Sequence, residues 1–377
     1  MRALLAVFGG DGVASRDVAV SAVPVQARVL RGRPADAVFH RGSRRIYADE
    51  VAGEPVIEAR DLRRVYSTTT GVLRRRPLEV EAVRGISFAV GRGELFGLLG
   101  PNGAGKTTTI KMLITLLLPT GGHASVLGHD VVDHAREVRR RIGYVFGGDR
   151  GLYERLSARD NLRYFAELYG VSGRAQRLRI DEVLELVGLR GRERERVEGY
   201  SRGMRQRLHI ARGILHDPEV VFLDEPTIGV DPVGARELRQ TIAGLVAAGK
   251  TVLLTTHYMF EADALCDRIA VIARGCIVGA GTPEELKRGV TKGTVTEIEA
   301  FGVDAGAVGR LRAVPTVTAV TVEDHDQKQV LVVQSTGERE LTQSLLGELA
   351  GVSVGRVSSR EPTLEDAYVA LVTADGA

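Results

Sequence analysis

Residues 1–55 differ from the rest of the chain in their pattern of apolar and polar positions. This segment contains mainly Ala, Val, Arg and Gly, with neither the spacing of a helix nor the alternation of a strand. It predicts a flexible N-terminal extension. From Val56 the pattern becomes regular, because residues 56–59 and residues 86–90 alternate like strands. The short apolar run Leu95–Leu99 predicts a third strand.

Helical spacing dominates the next part of the chain. Apolar residues recur every three or four positions after Ser157 and again in residues 181–187. We therefore predict a helical insertion over about residues 150–217. Ser201 is a typical N-cap residue, and the helix that it begins should run until residues 216–218, where a proline stops it.

Two further strands follow this insertion. Residues 220–223 are all apolar, which is typical of a strand buried on both faces. Thr251–Thr256 is the second strand. The last segment, residues 290–377, reads as a small α+β domain. Its predicted strands are residues 294–300, 317–322, 329–333 and 352–357, and its predicted helix is residues 338–350.

Composition narrows the class of protein. A length of 377 residues suggests two or three domains, and a net charge of +3 does not by itself imply nucleic acid. Two cysteines, Cys266 and Cys276, cannot form a disulfide framework and fit a reducing compartment. No apolar run approaches the length of a membrane span, so we expect the chain to be cytosolic. If it works at a membrane, we expect a partner protein to hold it there.

A glycine-rich loop after residue 99 carries the strongest chemical signal. It reads G-x-x-x-x-G-K-T between a predicted strand and a predicted helix, which is the context that a phosphate-binding loop requires. Its backbone N–H groups and the helix N-terminus point at phosphate, the lysine reaches the outer phosphates and the threonine can ligate Mg²⁺. The residues expected to contact a nucleoside triphosphate here are Gly100, Pro101, Asn102, Gly103, Ala104, Gly105, Lys106, Thr107 and Thr108.

Asp224 and Glu225 follow the buried strand of residues 220–223, at the edge where open α/β sheets bind ligands. Adjacent carboxylates repel each other unless a cation accompanies them. We therefore expect Asp224 to hold Mg²⁺ with Thr107, and Glu225 to polarise the attacking water. His257 ends the next strand at the same edge. Tyr66, on the strand side of the loop, is either a base-stacking aromatic or an ordinary strand residue.

Over about residues 56–289 these motifs resemble, in order and spacing, the nucleotide-binding subunit of an ATP-binding-cassette transporter. The resemblance implies that Tyr66 stacks on adenine, that Glu225 is the catalytic carboxylate and that His257 is the switch histidine. The segment from Tyr200 to Met204 resembles the family signature, in which Ser201 and Gly203 contact the ATP of a facing subunit. Residues 229–231 resemble the loop that touches that subunit.

Two positions depart from the family pattern. The signature has Ser-Arg-Gly-Met where Ser-Gly-Gly-Gln is commonest, although Ser201 and Gly203 remain. The glutamine expected after Phe146 is replaced by Gly147-Gly148-Asp149. One hypothesis is that Asp149 replaces that glutamine at Mg²⁺. The alternative is that Asp149 is a solvated loop acid and that Asp224 and Thr107 hold the metal alone.

The resemblance implies an α/β P-loop NTPase cassette with a mixed or parallel sheet, a helical insertion and a small C-terminal α+β domain. It implies an ATP-hydrolysing, Mg²⁺-dependent subunit at the cytoplasmic face of the membrane. Its expected partners are an integral-membrane permease and a second cassette in a homodimer, without nucleic acid. The ending from Glu361 to Tyr368 is similar to that of exporter subunits of the drug-resistance type. The alternative is a soluble cassette ATPase acting on ribosomes or DNA, and the sequence does not identify a cargo.

Overall fold

The computed structural model describes residues 53–70, 76–148, 151–290, 293–325, 328–336 and 341–374. The extension predicted for residues 1–55 lies almost entirely outside the described residues, and so does Asp149. The described part divides into two compact units. Residues 53–293 and 361–374 form the larger unit, and residues 294–360 form the smaller one.

The elements alternate between strands and helices along most of the chain. Before the smaller unit they are β1 (Ile57–Thr70), β2 (Arg76–Val90), β3 (Leu95–Leu99), α1 (Lys106–Leu113), β4 (Gly121–Val126), β5 (His129–Asp130), α2 (Ala135–Arg141), β6 (Ile142–Phe146), α3 (Ala158–Leu168), α4 (Gly173–Leu186), α5 (Arg202–Gly213), β7 (Val220–Asp224), α6 (Pro232–Ala247), β8 (Thr251–Thr256), α7 (Met259–Leu265), β9 (Arg268–Ala273), β10 (Cys276–Gly281) and α8 (Pro283–Val290). The remaining elements are β11 (Thr294–Phe301), α9 (Ala305–Ala313), β12 (Val317–His325), β13 (Lys328–Ser335), α10 (Leu341–Glu348), β14 (Ser353–Arg360) and α11 (Leu364–Ala374). Among the helices in these described ranges, none combines the length and the apolar character that crossing a membrane needs.

The larger unit is built on a six-stranded sheet with the strand order β10-β9-β3-β8-β7-β6. Its strands are parallel except β10, which pairs with β9 in the antiparallel sense. A second sheet, β2-β1-β4-β5, is antiparallel and shares an apolar cluster with α1 and one face of the central sheet. The predicted α/β fold with a mixed sheet is therefore confirmed.

Strand β7 is buried on both faces, as its continuous apolar sequence predicts. Val220 and Phe222 belong to the cluster shared with α1 and the antiparallel sheet. Val221 and Leu223 belong to a second cluster, which includes residues of helices α3 to α6. Successive side chains of a strand point to opposite faces, so the two apolar layers require residues 220–223 all to be apolar, and Asp224 follows at the carboxyl end of the strand.

The helical region differs from the sequence prediction at two boundaries. Helix α4 begins at Gly173, well before the predicted residue 181, and Gly188 follows its end with a φ of +64°. Helix α5 ends at Gly213, before the predicted end at residues 216–218. The chain turns there before β7, and Asp217 adopts a left-handed conformation with a φ of +59°. Ser201 caps α5 as predicted, since its hydroxyl oxygen accepts a hydrogen bond from the Met204 N–H.

The smaller unit is an antiparallel sheet with the strand order β12-β13-β11-β14, and the four predicted strands are confirmed. Helices α9 and α10 contribute Leu311 and Leu345 to the apolar cluster of this sheet. Helix α9 is not predicted from the sequence. Its N-cap is Asp304, whose carboxylate accepts a hydrogen bond from the Ala307 N–H, and this pairing is a recognisable start signal.

Helix α11 groups with the larger unit, whereas the sequence prediction placed residues 290–377 in one domain. The Thr363 hydroxyl oxygen accepts a hydrogen bond from the Asp366 N–H, and the Asp366 carboxylate accepts one from the Thr363 N–H. This is the arrangement of a capping box. Leu364 and Leu371 are buried in the cluster of the helical region, and Leu371 lies against Gly279 of β10.

Replacing Leu371 by Ala should lower the free energy of unfolding by about 2–5 kcal/mol, because it leaves a cavity in the core of the larger unit. The matched control is Val369→Ala on the same helix, where the side chain is 43% exposed, and it should change stability by less than about 0.5 kcal/mol. Thermal and urea unfolding of the full chain measure both variants. Equal stability of the two variants would contradict the packing of α11 on this core.

Candidate functional site

The loop between β3 and α1 is shaped by glycines that no other residue can replace without a shift. A Cβ added to Gly100 would overlap the carbonyl oxygen of Ile272. Gly105 has a φ of +112°, and a Cβ there would lie 2.6 Å from the carbonyl oxygen of Ala82. Helix α1 begins at the next residue, Lys106, so its free N–H groups open directly into the loop.

Lys106 is the centre of the site. Its side chain is only 4% exposed, and Nζ donates hydrogen bonds to the carbonyl oxygens of Gly100 at 2.6 Å and Pro101 at 3.2 Å. Nζ also lies 3.3 Å from Oε1 of Glu225. A buried ammonium group is costly unless charge and hydrogen bonds compensate it, and these three oxygens provide that compensation.

Asp224 and Thr107 lie close enough to share a divalent cation. The Thr107 hydroxyl donates to Oδ1 of Asp224 at 3.3 Å, and the Thr255 hydroxyl donates to the same oxygen at 2.6 Å. Hydroxyl and carboxylate oxygens are the ligands that Mg²⁺ prefers. Within the described ranges, no group of three or more His, Cys, Asp or Glu side chains could hold a metal. The donor set therefore fits a cation that takes its remaining ligands from phosphate and water.

Glu225 is held between two basic side chains. Oε1 faces Lys106, and Nδ1 of His257 lies 3.0 Å from Oε2. The backbone of Glu225 has a φ of +49°, a left-handed conformation that is strained for a residue with a side chain. Its N–H donates to the backbone oxygen and the hydroxyl of Thr255 at 3.0 and 3.1 Å, so strand β8 supports this conformation.

Glu261, which no motif of the sequence indicated, anchors the turn after Glu225. Its carboxylate is buried and accepts hydrogen bonds from the hydroxyls of Thr227 at 2.8 Å and Thr256 at 3.2 Å. Burial raises the pKa of Glu261, while the two threonines and nearby Arg239 oppose that rise. A carboxylate four residues after His257, in the first turn of α7, was the available signal.

Tyr66 lies on β1 opposite Val80 of β2, with 36% of its surface exposed. The Arg64 guanidinium lies over the ring, 4.8 Å from its centroid, and donates to the carbonyl oxygen of Leu118. Strand β2 reaches the phosphate-binding loop two residues further on, where Ala82 faces Gly105. The structure thus places an exposed aromatic ring on the hairpin that borders the loop, and base stacking stays a prediction.

Ser201 and Gly203 lie at the start of α5. Gly203 is buried, and a Cβ added to it would lie 3.1 Å from Cα of Gly234 in α6. In the part of the chain that the structure describes, neither residue hydrogen-bonds to the Lys106 loop. Among the described residues, no hydrogen bond therefore joins Ser201 or Gly203 to the Lys106 loop of the same chain.

Gly147 occupies the position where the family resemblance predicts a glutamine. Its N–H donates to the carbonyl oxygen of Asp224 at 2.8 Å, and an added Cβ would overlap the carbonyl oxygen of Glu225. Close packing therefore requires glycine here. Gly148 has a φ of +113° and open space around it. The hypothesis that Asp149 reaches the metal lies outside the described residues and stays a prediction.

Comparisons with known proteins agree with these motifs. Residues 83–228 match the family described as "ABC transporter", and residues 281–372 match "ATP-binding protein DrrA1-3-like, C-terminal domain". The chain is 41% identical over 297 residues to "Daunorubicin resistance ATP-binding protein DrrA3" of Streptomyces coeruleorubidus, covering 78% of this chain and 92% of that protein. It is 47% identical over 219 residues to a "Fluoroquinolones export ATP-binding protein" of Mycobacterium tuberculosis, covering 58% of this chain and 71% of that protein.

One similar solved structure is entitled "Dimeric structure of a post-hydrolysis state of the ATP-binding cassette MJ0796 bound to ADP and Pi". The TM-score is 0.52 at 24% identity, covering 60% of this chain and 98% of that one. A likeness at this identity concerns the fold.

Lys106→Ala and Glu225→Gln should separate nucleotide binding from turnover. The first variant loses a charged contact to phosphate worth about 1.5–3 kcal/mol, so ATP should bind about tenfold or more weakly. The second should bind ATP as wild type does, while kcat falls by about 10² or more, because the group that takes the water's proton is lost. Equilibrium titration with ATP and phosphate-release assays measure the two quantities.

The matched controls are Lys111→Ala, an exposed lysine of α1, and Glu219→Gln, an exposed acid at the opposite end of β7. Neither should change binding or turnover. A Glu225→Gln chain that hydrolyses ATP at the wild-type rate would refute the catalytic assignment.

Proposed function

Because this chain belongs to the family of ATP-binding subunits of ABC transporters, which bind and hydrolyse ATP, we propose that it powers drug export through a separately encoded membrane permease. The observation that carries the proposal is similarity along 92% of a protein named for daunorubicin resistance. The match of residues 281–372 to the C-terminal domain of that type supports the same subclass. The chain then works at the cytoplasmic face of the membrane.

The side chains of one site divide the chemistry between them. Lys106 binds the outer phosphate oxygens in place of its present carbonyl partners, and the N–H groups at the start of α1 bind the same anion. Thr107 and Asp224 would hold Mg²⁺, which neutralises the charge that develops on the phosphates. Glu225 accepts the proton of the attacking water, and His257 orients its carboxylate through Oε2. Tyr66 supplies the face on which adenine stacks.

The site is completed by a second copy of the chain, arranged head to tail. Ser201 is exposed, and the first turn of α5 offers N–H donors and the positive end of the helix dipole. Among the described residues, Ser201 Oγ accepts a hydrogen bond from the Met204 N–H, while no hydrogen bond from the N–H of Arg202 or Gly203 occurs. The Ser201 O–H and these two N–H groups suit a γ-phosphate bound to the Lys106 loop of the partner. ATP then joins the two chains, and its hydrolysis releases them.

In the Glu225→Gln background, ATP should produce a dimer that Ser201→Arg abolishes. The substitution places bulk and positive charge against Mg²⁺ and Arg202 at the contact. Multi-angle light scattering at saturating ATP measures the mass of each variant. Ser172→Arg is the control, because Ser172 is also an exposed N-cap residue, although its side chain makes no capping hydrogen bond, and it should leave the dimer intact. A monomer in the Glu225→Gln chain at saturating ATP would contradict the paired arrangement.

The permease should dock on the α3 patch, which we define as Tyr153, Leu156, Tyr164 and Leu168. These side chains are 39% to 57% exposed, and the rings of Tyr153 and Tyr164 meet edge to face with centroids 4.9 Å apart. Buried Asn161 of α3 accepts a hydrogen bond from the Tyr153 N–H and donates one to the Tyr153 carbonyl oxygen. These two bonds hold Tyr153 against α3. Exposed aromatic and leucine side chains of this kind are typical of protein interfaces.

Tyr164→Asp should abolish co-purification of the chain with membrane proteins from its own cells, because a charge in an apolar interface is costly. ATP hydrolysis by the isolated chain should stay within about twofold of wild type, since the patch lies outside the phosphate site. Val132→Asp, at a residue 45% exposed outside the patch, should retain the membrane partner. Retention of that partner by Tyr164→Asp would exclude the α3 patch as the docking surface.

A further inference from the structure

The loop between β7 and α6 is hydrogen-bonded to the start of α5 within one chain. Arg202, the first residue of α5, donates from Nη1 to the carbonyl oxygen of Gly229 at 3.2 Å. Gly229 has a φ of +72°, and a Cβ added to it would lie 3.0 Å from the same Nη1. A side chain at residue 229 would therefore strain the backbone and crowd the guanidinium group.

The starts of α5 and α6 are also in backbone contact. Besides the approach of Gly203 to Gly234, a Cβ added to Gly234 would lie 2.8 Å from Cγ1 of Val230 in the loop. Asp231 caps α6, since its Oδ2 accepts a hydrogen bond from the Gly234 N–H at 3.1 Å. The two helix starts and the intervening loop thus pack through glycines, and Arg202 adds a side-chain bond across them.

The same loop is tied to the catalytic carboxylate by two tight turns. The Ile228 N–H donates to the carbonyl oxygen of Glu225 at 3.3 Å, and the Val230 N–H donates to that of Thr227 at 3.0 Å. Thr227 is in turn fixed to Glu261. The first turn of α5 is therefore connected to the end of β7 by a short series of hydrogen bonds, of which the Arg202 to Gly229 bond is one.

We propose that Arg202 is a positioning residue that fixes the start of α5 relative to Glu225 of the same chain. This inference rests on the proposed head-to-tail pair, in which Ser201 and Gly203 close over the partner's nucleotide. Closure at the partner's site then sets the position of the chain's own catalytic carboxylate, so the two sites hydrolyse ATP cooperatively. The commonest family signature has glycine at this position, which has no side chain to make the bond.

Arg202→Ala should leave the ATP affinity of the chain unchanged within about twofold, because Lys106 and its loop are untouched. Arg202→Ala should lower kcat about tenfold and bring the Hill coefficient for ATP towards one. A tenfold loss of coupling lies within the usual range for two interacting sites. In the Glu225→Gln background, the ATP concentration that gives half-maximal dimer in light scattering should rise about tenfold. Arg202→Lys, which keeps the charge and a donor, should stay within about threefold of wild type.

Arg236→Ala is the matched control, because Arg236 is exposed on α6 and no ion pair or hydrogen bond of its side chain occurs within the described ranges. It should leave all these quantities unchanged. Gly229→Ala crowds the guanidinium and strains the backbone, so it should have at least the Arg202→Ala effect. The double variant should be no worse than Gly229→Ala alone, since both changes disturb the same bond.

Unchanged kcat and Hill coefficient in Arg202→Ala would overturn the positioning role, and so would additive effects of Arg202→Ala and Gly229→Ala. A fall in melting temperature with parallel losses of binding and turnover would assign Arg202 a purely structural role instead. A wild-type chain that neither dimerises nor turns over ATP cooperatively would refute the paired function itself, together with this inference.

Discussion

A buried ammonium group, that of Lys106, sets the geometry of the whole phosphate-binding edge. It is compensated by two carbonyl oxygens of its own loop and by the carboxylate of Glu225, which reaches it from the end of β7. That meeting depends on the parallel register of the central sheet, in which β8 pairs with both β3 and β7. Any shift of one strand by a residue would leave the charge unpaired, and an unpaired buried charge costs several kcal/mol.

The second constraint is the left-handed backbone of Glu225, which costs on the order of 1–3 kcal/mol. Hydrogen bonds on both sides of Glu225 maintain this backbone conformation. Thr255 holds the residue to β8, and Glu261 holds the next turn through Thr227. The strain aims the carboxylate at Lys106 and His257 instead of continuing the strand. Three residues outside the recognised motifs, Thr255, Thr227 and Glu261, therefore help to place the proposed catalytic carboxylate.

Glycines at the site act through close packing more than through flexibility. Gly147 lies against the Glu225 carbonyl, where an added Cβ would overlap the oxygen, and Gly203 lies against Gly234, where an added Cβ would be a tight contact. The sequence predicts glycine-rich turns, but it does not reveal which backbone each glycine touches. The Gly147 that replaces the expected glutamine is therefore a packing requirement in the structure.

The sequence by itself determined which residues are proposed to bind phosphate. The spacing from Gly100 to Thr107, the acid pair after an apolar run and the capping serine all depend on local backbone geometry and periodicity. The tertiary structure decided the pairings between distant positions, which no local pattern encodes: Lys106 with Glu225, Thr255 with Asp224, Thr227 with Glu261, and Arg202 with Gly229. The tertiary structure also placed α11 in the larger unit. The apolar face of a helix predicts that the helix is buried, but it does not identify the surface against which the helix packs.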